Sequence, residues 1–123
     1  PVGFTFRTSE GGVTVLDLDG ELDRHVGVRD LHNAVAKVKP TASTRLVMNF
    51  KTVTYICSEA VGMVCLLAEE IRKAGGSAAC CAVAGLPRDV FEILGVTKIL
   101  ALHETEAEAC SALLRGPADA KKK

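Results

Sequence analysis

A thiol, a hydroxyl and a carboxylate stand in succession at Cys57-Ser58-Glu59. Cys57 lies just before a predicted helix, where the helix dipole can make a thiol more reactive and so suit it to redox sensing. Ser58 lies where a helix N-cap belongs, because its hydroxyl can accept a backbone N–H from the first turn. Glu59 then falls on the first helical residue, where the dipole favours a carboxylate by about 0.3 to 1 kcal/mol. Local chemistry alone therefore predicts a capped helix start.

A catalytic or redox role for Cys57 lacks the companions that such a role needs. The sequence places no second thiol to resolve an oxidised Cys57, which favours a small buried residue there. His25 would be the base of a thiol–imidazole pair, but no oxyanion element or third member is recognisable. His32 and His103 do not complete a metal-ligand spacing. No Walker motif is present, and Gly75-Gly76 ends a helix, the wrong end to cradle phosphate. We therefore expect no enzyme, no metal site and no cofactor.

The composition indicates one globular domain of 1–115 followed by a flexible basic tail of 116–123. Hydrophobic residues make up 48% of the 123 residues, enough for a single core. The chain has 15 basic and 15 acidic residues, and three of the basic ones are the terminal lysines, so the body is mildly acidic and a nucleic-acid partner is not expected. Five cysteines without a CxxC pair suggest a reducing compartment. Neither a signal peptide nor a membrane-spanning run is visible, which predicts a cytoplasmic protein without membrane insertion.

A buried strand and a long helix must position these residues. Arg45 to Phe50 is a short apolar run typical of a covered strand. After Glu59, apolar residues recur at helical spacing from Ala60 to Ile71, and Gly75-Gly76 ends that helix.

Strands and helices alternate along the rest of the chain. Crossovers between such elements are right-handed, and they build a mixed, mostly parallel sheet. The sequence predicts an α/β fold of about five strands and four helices in the order ββαβαβαβα. The other predicted elements are strands at Gly3 to Arg7 and Val13 to Leu18 around a Glu10-Gly11-Gly12 turn, a polar turn at Asp19 to Asp23, a helix from about Val28 to Val38, a strand at Ser77 to Ala84, a short helix with Pro87 in its first turn, a strand at Thr97 to Leu102, and a helix from Glu104 to Leu114.

Five segments, in order and spacing, resemble the STAS domain of bacterial anti-sigma-factor antagonists. The resemblance spans about Val13 to Leu114. The segments are Gly20–Asp23 ("GELD" in the family), Leu46–Phe50 ("lvlDl"), Tyr55–Gly62 ("fiDSSGLG"), Ala74–Gly76 ("aGG") and Ile93–Val96 ("LtGL").

The resemblance implies a phosphorylation switch whose acceptor is missing here. In the antagonists, the second Ser of "DSSG" is phosphorylated by a partner that is both kinase and anti-sigma factor, and the unphosphorylated form binds that partner. The motif places Cys57 at the aspartate, Ser58 at the first Ser and Glu59 at the phosphoacceptor. A carboxylate brings part of the charge of a phosphoserine but not its dianion, so Glu59 either imitates the phosphorylated state or removes the regulation. A one-residue slip would make Ser58 the acceptor, although a capping hydroxyl is a less available nucleophile.

The sequence therefore predicts a non-enzymatic domain that works by protein–protein contact. The expected partner is a kinase-type anti-sigma factor or another STAS protein, and the oligomeric state is left open. One alternative is an accessory STAS subunit of an ABC-type transporter or of a multi-STAS assembly, and another is a redox sensor acting through Cys57. The expected contact surface consists of the Asp19 to Asp23 turn, Thr54 to Gly62 and the exposed face of the following helix. The expected contact residues are Glu21, Asp23, Thr54, Tyr55, Ala60, Val61, Gly62 and Met63.

Overall fold

The computed structural model describes residues 3–115, and the predicted tail at 116–123 lies outside the described residues. The observed order of strands and helices confirms the predicted ββαβαβαβα succession. The strands are β1 (Thr5–Thr8), β2 (Thr14–Leu22), β3 (Arg45–Ile56), β4 (Ser77–Cys81) and β5 (Leu102–His103). The helices are α1 (Val26–Ala36), α2 (Ser58–Lys73), α3 (Gly85–Ile93) and α4 (Glu106–Leu114), with 3-10 turns at Glu10–Gly12 and Val96–Lys98.

The five strands form one mixed sheet in the order β1-β2-β3-β4-β5. β1 pairs with β2 antiparallel, as expected for a hairpin, and the remaining neighbours are parallel. Parallel neighbours require crossover helices between them, and these helices cover the sheet. The predicted mixed, mostly parallel sheet is confirmed.

Helices cover the two faces of the sheet unequally. Buried side chains of α1, α2 and α3 share the larger core cluster, so these three helices lie on one face. Phe91 of α3 is fully buried there, with its ring edge-on to Phe50 of β3 at a centroid separation of 5.4 Å. Within residues 3–115, α4 is the one helix on the other face, where Ala109, Cys110 and Leu113 pack on a smaller cluster.

The two central strands are longer than the sequence suggested. The predicted polar turn at Asp19 to Asp23 is wrong for its first four residues, because β2 continues to Leu22 in parallel pairing with β3. β3 continues six residues beyond Phe50, to Ile56. Its register with β2 shifts twice, and each shift adds one residue to β3, which is the signature of a β-bulge. The partners across the shifts are Asp17–Asn49, Asp19–Thr52, Gly20–Val53 and Glu21–Tyr55.

Two of the later strand predictions also need correction. β4 ends at Cys81 rather than at Ala84, because Ala82 adopts a left-handed conformation with φ 61°. The predicted strand from Thr97 to Leu102 is wrong over most of its length. Its first residues form a 3-10 turn that starts from a left-handed Gly95, and the strand comprises only Leu102–His103.

A polar network joins β1, β2 and α4 on the α4 side of the sheet. Arg7 bonds both carboxylate oxygens of Asp17 and both of Glu106, with 2.6 Å between Arg7 Nη2 and Glu106 Oε1. Ser9 Oγ donates to Glu106 at 2.7 Å, and Asn49 Nδ2 donates to Asp17 at 2.7 Å. The Arg7 guanidinium is the first cause that lowers the pKa of both carboxyls. A carboxyl whose pKa is lowered by folding stabilises the folded state at a pH above its ordinary pKa. This stabilisation is lost as the pH falls through the lowered pKa.

We expect Arg7→Gln to lower the free energy of unfolding by about 1 kcal/mol at pH 7, a modest loss because the partners are partly exposed and screened by water. The ordinary pKa values of the two carboxyls are 3.8 and 4.5, so the difference from wild type should shrink as the pH falls through about 4. Urea unfolding of both proteins at pH 7 and pH 3 measures this difference in the free energy of unfolding. Arg88→Gln, which breaks one exposed pair with Glu92, is the control and should cost less. An equal loss for Arg7→Gln at both pH values would contradict the prediction.

Candidate protein-interaction site

The ends of β2 and β3 meet at one edge of the sheet, where α1 and α2 begin. Leu22 pairs with Ile56, and the Leu22 carbonyl accepts from the Cys57 backbone N–H at 2.9 Å. Parallel strands necessarily end at the same edge, so residues 35 positions apart in the sequence become neighbours. The two predicted contact segments, near Glu21 and near Glu59, therefore lie side by side.

The start of α2 lies one residue earlier than predicted. Cys57 is the N-cap, with φ −88° and ψ 165°, and makes no side-chain capping bond. It stays extended because its N–H still pairs with Leu22, while its carbonyl accepts the helical bond from Val61 N–H. Ser58 and Glu59 are thus the first and second helical residues, and both are exposed. The predicted cap at Ser58 is wrong, and with it the argument that capping makes this hydroxyl less available.

Asp23, a predicted contact residue, lies just before α1, and its side chain accepts hydrogen bonds from the start of that helix. Its Oδ1 accepts from Gly27 N–H at 2.9 Å and from His25 N–H at 3.1 Å. The Gly27 bond is the largest cause that lowers the pKa of the Asp23 carboxyl. The His25 imidazole is exposed, and among the described residues no hydrogen bond joins it to Cys57. Asp23 therefore has a local structural role at the start of α1. The predicted thiol–imidazole pair between Cys57 and His25 is not formed in the described residues.

Burial separates the remaining predicted contact residues into two groups. The side chains of Ala60 and Val61 are 0% and 2% exposed and pack in the larger core cluster, so they cannot form part of a contact surface. The reason is the helical repeat, which turns them toward the sheet together with the other apolar residues of α2. The other predicted residues stay available: Glu21, Thr54, Tyr55 and Gly62 are exposed, and Met63 is half-buried.

Exposed apolar side chains that were not predicted lie on α2, on α3 and just after α3. Leu66 of α2 is 60% exposed, and Ile93 at the end of α3 is 81% exposed. Leu66 lies on the opposite side of α2 from its buried stripe. The helical spacing of the apolar residues could have identified this exposed position from the sequence. Large exposed apolar groups beside charges often mark interaction surfaces. The others near α3 are Leu86, Leu94 and Ile99.

Gly62 lies in the middle of α2 with open space around it. Apart from its chain neighbours and the backbone of its own helix, no atom of residues 3–115 lies within 4 Å of a Cβ added there, and the residue is exposed. Because alanine loses less backbone entropy than glycine in a helix, we expect Gly62→Ala to raise the free energy of unfolding by about 0.5 to 1 kcal/mol. Urea unfolding followed by circular dichroism checks this, with Gly3→Ala outside the helices as the control. Unchanged or reduced stability would contradict the prediction and show that an alanine side chain is not accommodated freely at this position.

All five cysteines are free thiols. Burial raises the pKa of Cys80 well above its usual value and that of Cys81 to about 11, which keeps both thiols protonated and unreactive. Cys57 is half-buried at the site, and a redox role for it stays a prediction. In the described part of the chain no three His, Cys, Asp or Glu side chains are arranged to hold a metal ion, and no helix is long and apolar enough to span a bilayer.

Several solved structures share this fold. An anti-sigma factor antagonist from Mycobacterium paratuberculosis matches with a TM-score of 0.73 at 20% identity, over 92% of this chain and 94% of its own. The anti-sigma factor antagonist SpoIIAA in its unphosphorylated form gives 0.69 at 23% identity, over 93% and 97%. An anti-sigma-factor antagonist (STAS) domain protein from Planctomyces limnophilus gives 0.77 at 15% identity, over 90% and 97%.

A family model covers most of the sequence. Residues 6–104 match the STAS_2 family, described as "Mlab, STAS domain". The match includes all of β2, β3 and α2, and hence the whole edge at which the two central strands end. With this match and the shared fold, the chain belongs to the STAS domain family.

Proposed function

We propose that this STAS domain is a non-enzymatic module that binds a protein partner through the exposed side of α2 and the strand end beside it. We call this surface the α2 contact face and define it by Tyr55, Glu59, Gly62, Met63 and Leu66. Helical residues three and four apart lie on one side, so the last four form a continuous stripe. The observation that carries the proposal is the exposure of large apolar groups on it, 60% for Leu66 and 41% for Tyr55.

The α2 contact face is apolar in its middle and acidic at its end. Glu59 is exposed at the positive end of the helix, and Glu21 is exposed on the adjoining strand. An apolar patch rimmed by charge suits a transient contact with a protein that carries complementary basic groups.

The finer proposal is that the partner is a kinase-type anti-sigma factor and that Glu59 occupies the position of the switch residue. Support comes from the fold shared with anti-sigma factor antagonists, one of which, SpoIIAA, is known in phosphorylated and unphosphorylated forms. A carboxylate in the first helical turn carries a fixed negative charge where a phosphoserine would carry a larger one. The domain would then stay in one binding state at this position.

A second candidate function is an accessory STAS subunit of a transporter or of a multi-STAS assembly. Two observations favour it. The description of the matched family is "Mlab, STAS domain". In addition, Glu59 has no hydroxyl that could accept phosphate at the position aligned with the phosphoacceptor. A subunit that binds its partner permanently needs no phosphorylation switch.

A pull-down from lysate of the source organism separates the two functions. Wild type, Glu59→Ser and Ser58→Ala serve as baits, and mass spectrometry identifies bound proteins and phosphate on the bait. Partner switching predicts a kinase-like ATPase that phosphorylates Glu59→Ser at position 59 and binds it differently from wild type. Phosphate that appears on wild type and is lost in Ser58→Ala would instead assign Ser58 as the acceptor. Transport subunits or STAS proteins captured equally by all three baits would favour the second function. If no protein is captured above an unrelated bait, the interaction role itself fails.

A further inference from the structure

A pocket of about 340 Å³ lies at the opposite end of the sheet from the α2 contact face. Its walls come from the beginnings of β2 and β3, the end of α1 and the loop that follows α1. β3 has 12 residues, so at about 3.3 Å per residue the two ends of the sheet are roughly 35 Å apart. The pocket is therefore separate from the surface already described.

The pocket combines cations with an apolar floor. Lys37, Lys39 and Arg45 line it and are exposed, and no carboxylate is among its lining residues. The four ion pairs found in residues 3–115 all use other cations, so none of these three has a carboxylate partner there. The apolar floor consists of Phe6, Val38 and Leu46.

The loop beside the cations is held rigidly in place. Thr44 Oγ1 accepts from Thr41 N–H at 2.9 Å, and the Thr44 carbonyl accepts from Ser77 N–H at 2.9 Å. Gly76 packs so closely below that an added Cβ would lie 2.4 Å from the Thr44 oxygen. These contacts fix the backbone of the loop, so binding of a ligand would not have to order it.

We propose that this pocket binds an amphiphilic anion. Its phosphate or carboxylate group would be held by the lysines and Arg45, and its apolar body would lie on the floor. Charge-assisted bonds to an anion are stronger than bonds between neutral groups, and burial of an apolar body adds to them. Neither term depends on the partner at α2, so this proposal stands or falls separately from the proposed function.

Calorimetric titration with octyl phosphate tests the proposal, with inorganic phosphate and octyl glucoside as the comparison ligands. We expect saturable binding of octyl phosphate, at least tenfold weaker binding of inorganic phosphate, and no binding of the neutral glucoside. Lys37→Gln and Arg45→Gln should each weaken binding about tenfold, because each removes a charge-assisted bond. Lys98→Gln, an exposed cation in the turn after α3, should leave binding unchanged.

Three results would overturn the proposal: no saturable binding of octyl phosphate, equal binding of inorganic phosphate, or affinities unaffected by Lys37→Gln and Arg45→Gln. Lys37 and Arg45 are both exposed, so neither substitution should disturb the fold, and circular dichroism checks that it is retained. A loss of binding would then reflect the lost charge. Sedimentation with vesicles that contain phosphatidic acid identifies the source of the anion. Co-sedimentation that the two variants abolish indicates a membrane lipid, whereas octyl phosphate binding without co-sedimentation indicates a soluble ligand.

Discussion

Gly27→Ala, which adds a single methyl group, is expected to lower the free energy of unfolding by about 2 to 4 kcal/mol. An added Cβ would lie 2.5 Å from Leu22 Cα and 2.6 Å from the Glu21 carbonyl oxygen. Both are backbone atoms at the end of β2, and they cannot withdraw freely because the Leu22 carbonyl is bonded to Cys57 N–H. Relief of the clash would move α1 away from the strand end or break that bond at the start of α2.

Urea unfolding of Gly27→Ala and Gly62→Ala side by side measures this effect. The two variants make the same chemical change in a helix, but one Cβ meets backbone and the other meets open space, so the changes in stability should have opposite signs. A Gly27→Ala variant within about 0.5 kcal/mol of wild type would mean that α1 shifts at almost no cost. In that case the contact between α1 and β2 would not fix the edge of the site.

Glu59→Lys is expected to weaken binding of the partner by about 100-fold. The substitution removes an attraction to basic partner groups and replaces it with a like-charge repulsion, which costs several kcal/mol when it forms in an interface. A lysine in the first turn also opposes the helix dipole, which costs the free domain only about 0.3 to 1 kcal/mol, so the fold should persist.

The matched control is Glu108→Lys, which makes the same charge reversal at an exposed position in the first turn of α4, on the other face of the sheet. Calorimetry with the purified partner from the pull-down gives both affinities, and thermal unfolding gives both stabilities. Equal affinities for Glu59→Lys and wild type would place Glu59 outside the interface. Equal losses for Glu59→Lys and Glu108→Lys would indicate a general charge effect rather than a specific contact.

The sequence predicts the succession of strands and helices well because apolar periodicity records which side of each element is covered. It predicts strand ends poorly where pairing overrides local preference. Asp19 and Gly20 are typical turn residues, yet both lie in β2 because a parallel partner satisfies their backbone groups. The same pairing keeps Cys57 extended and moves the helix start by one residue. Sequence alone shows neither effect, since both depend on a strand more than 30 residues away.

The candidate site could be located from the sequence but not resolved into contact and core residues. Ala60 and Val61 belong to the motif, and their side chains are nevertheless fully buried. Leu66 belongs to no motif, and its side chain is nevertheless 60% exposed. A motif records what a family has in common, whereas exposure depends on the angle at which each helix lies on the sheet.

The two bulges in β3 have a consequence for how sequences of different length should be compared. The apolar stripe of α2 must face the sheet, so its rotation about the helix axis is fixed at about 100° per residue and cannot absorb an inserted residue. A bulge can absorb one without disturbing the residues on either side. Alignments of homologues should therefore be anchored on the buried stripe of α2. Gaps for inserted or deleted residues should be placed between Phe50 and Tyr55. Under that rule, the residue equivalent to Glu59 is found by its distance from the buried stripe of α2 and not by its distance from the start of the strand.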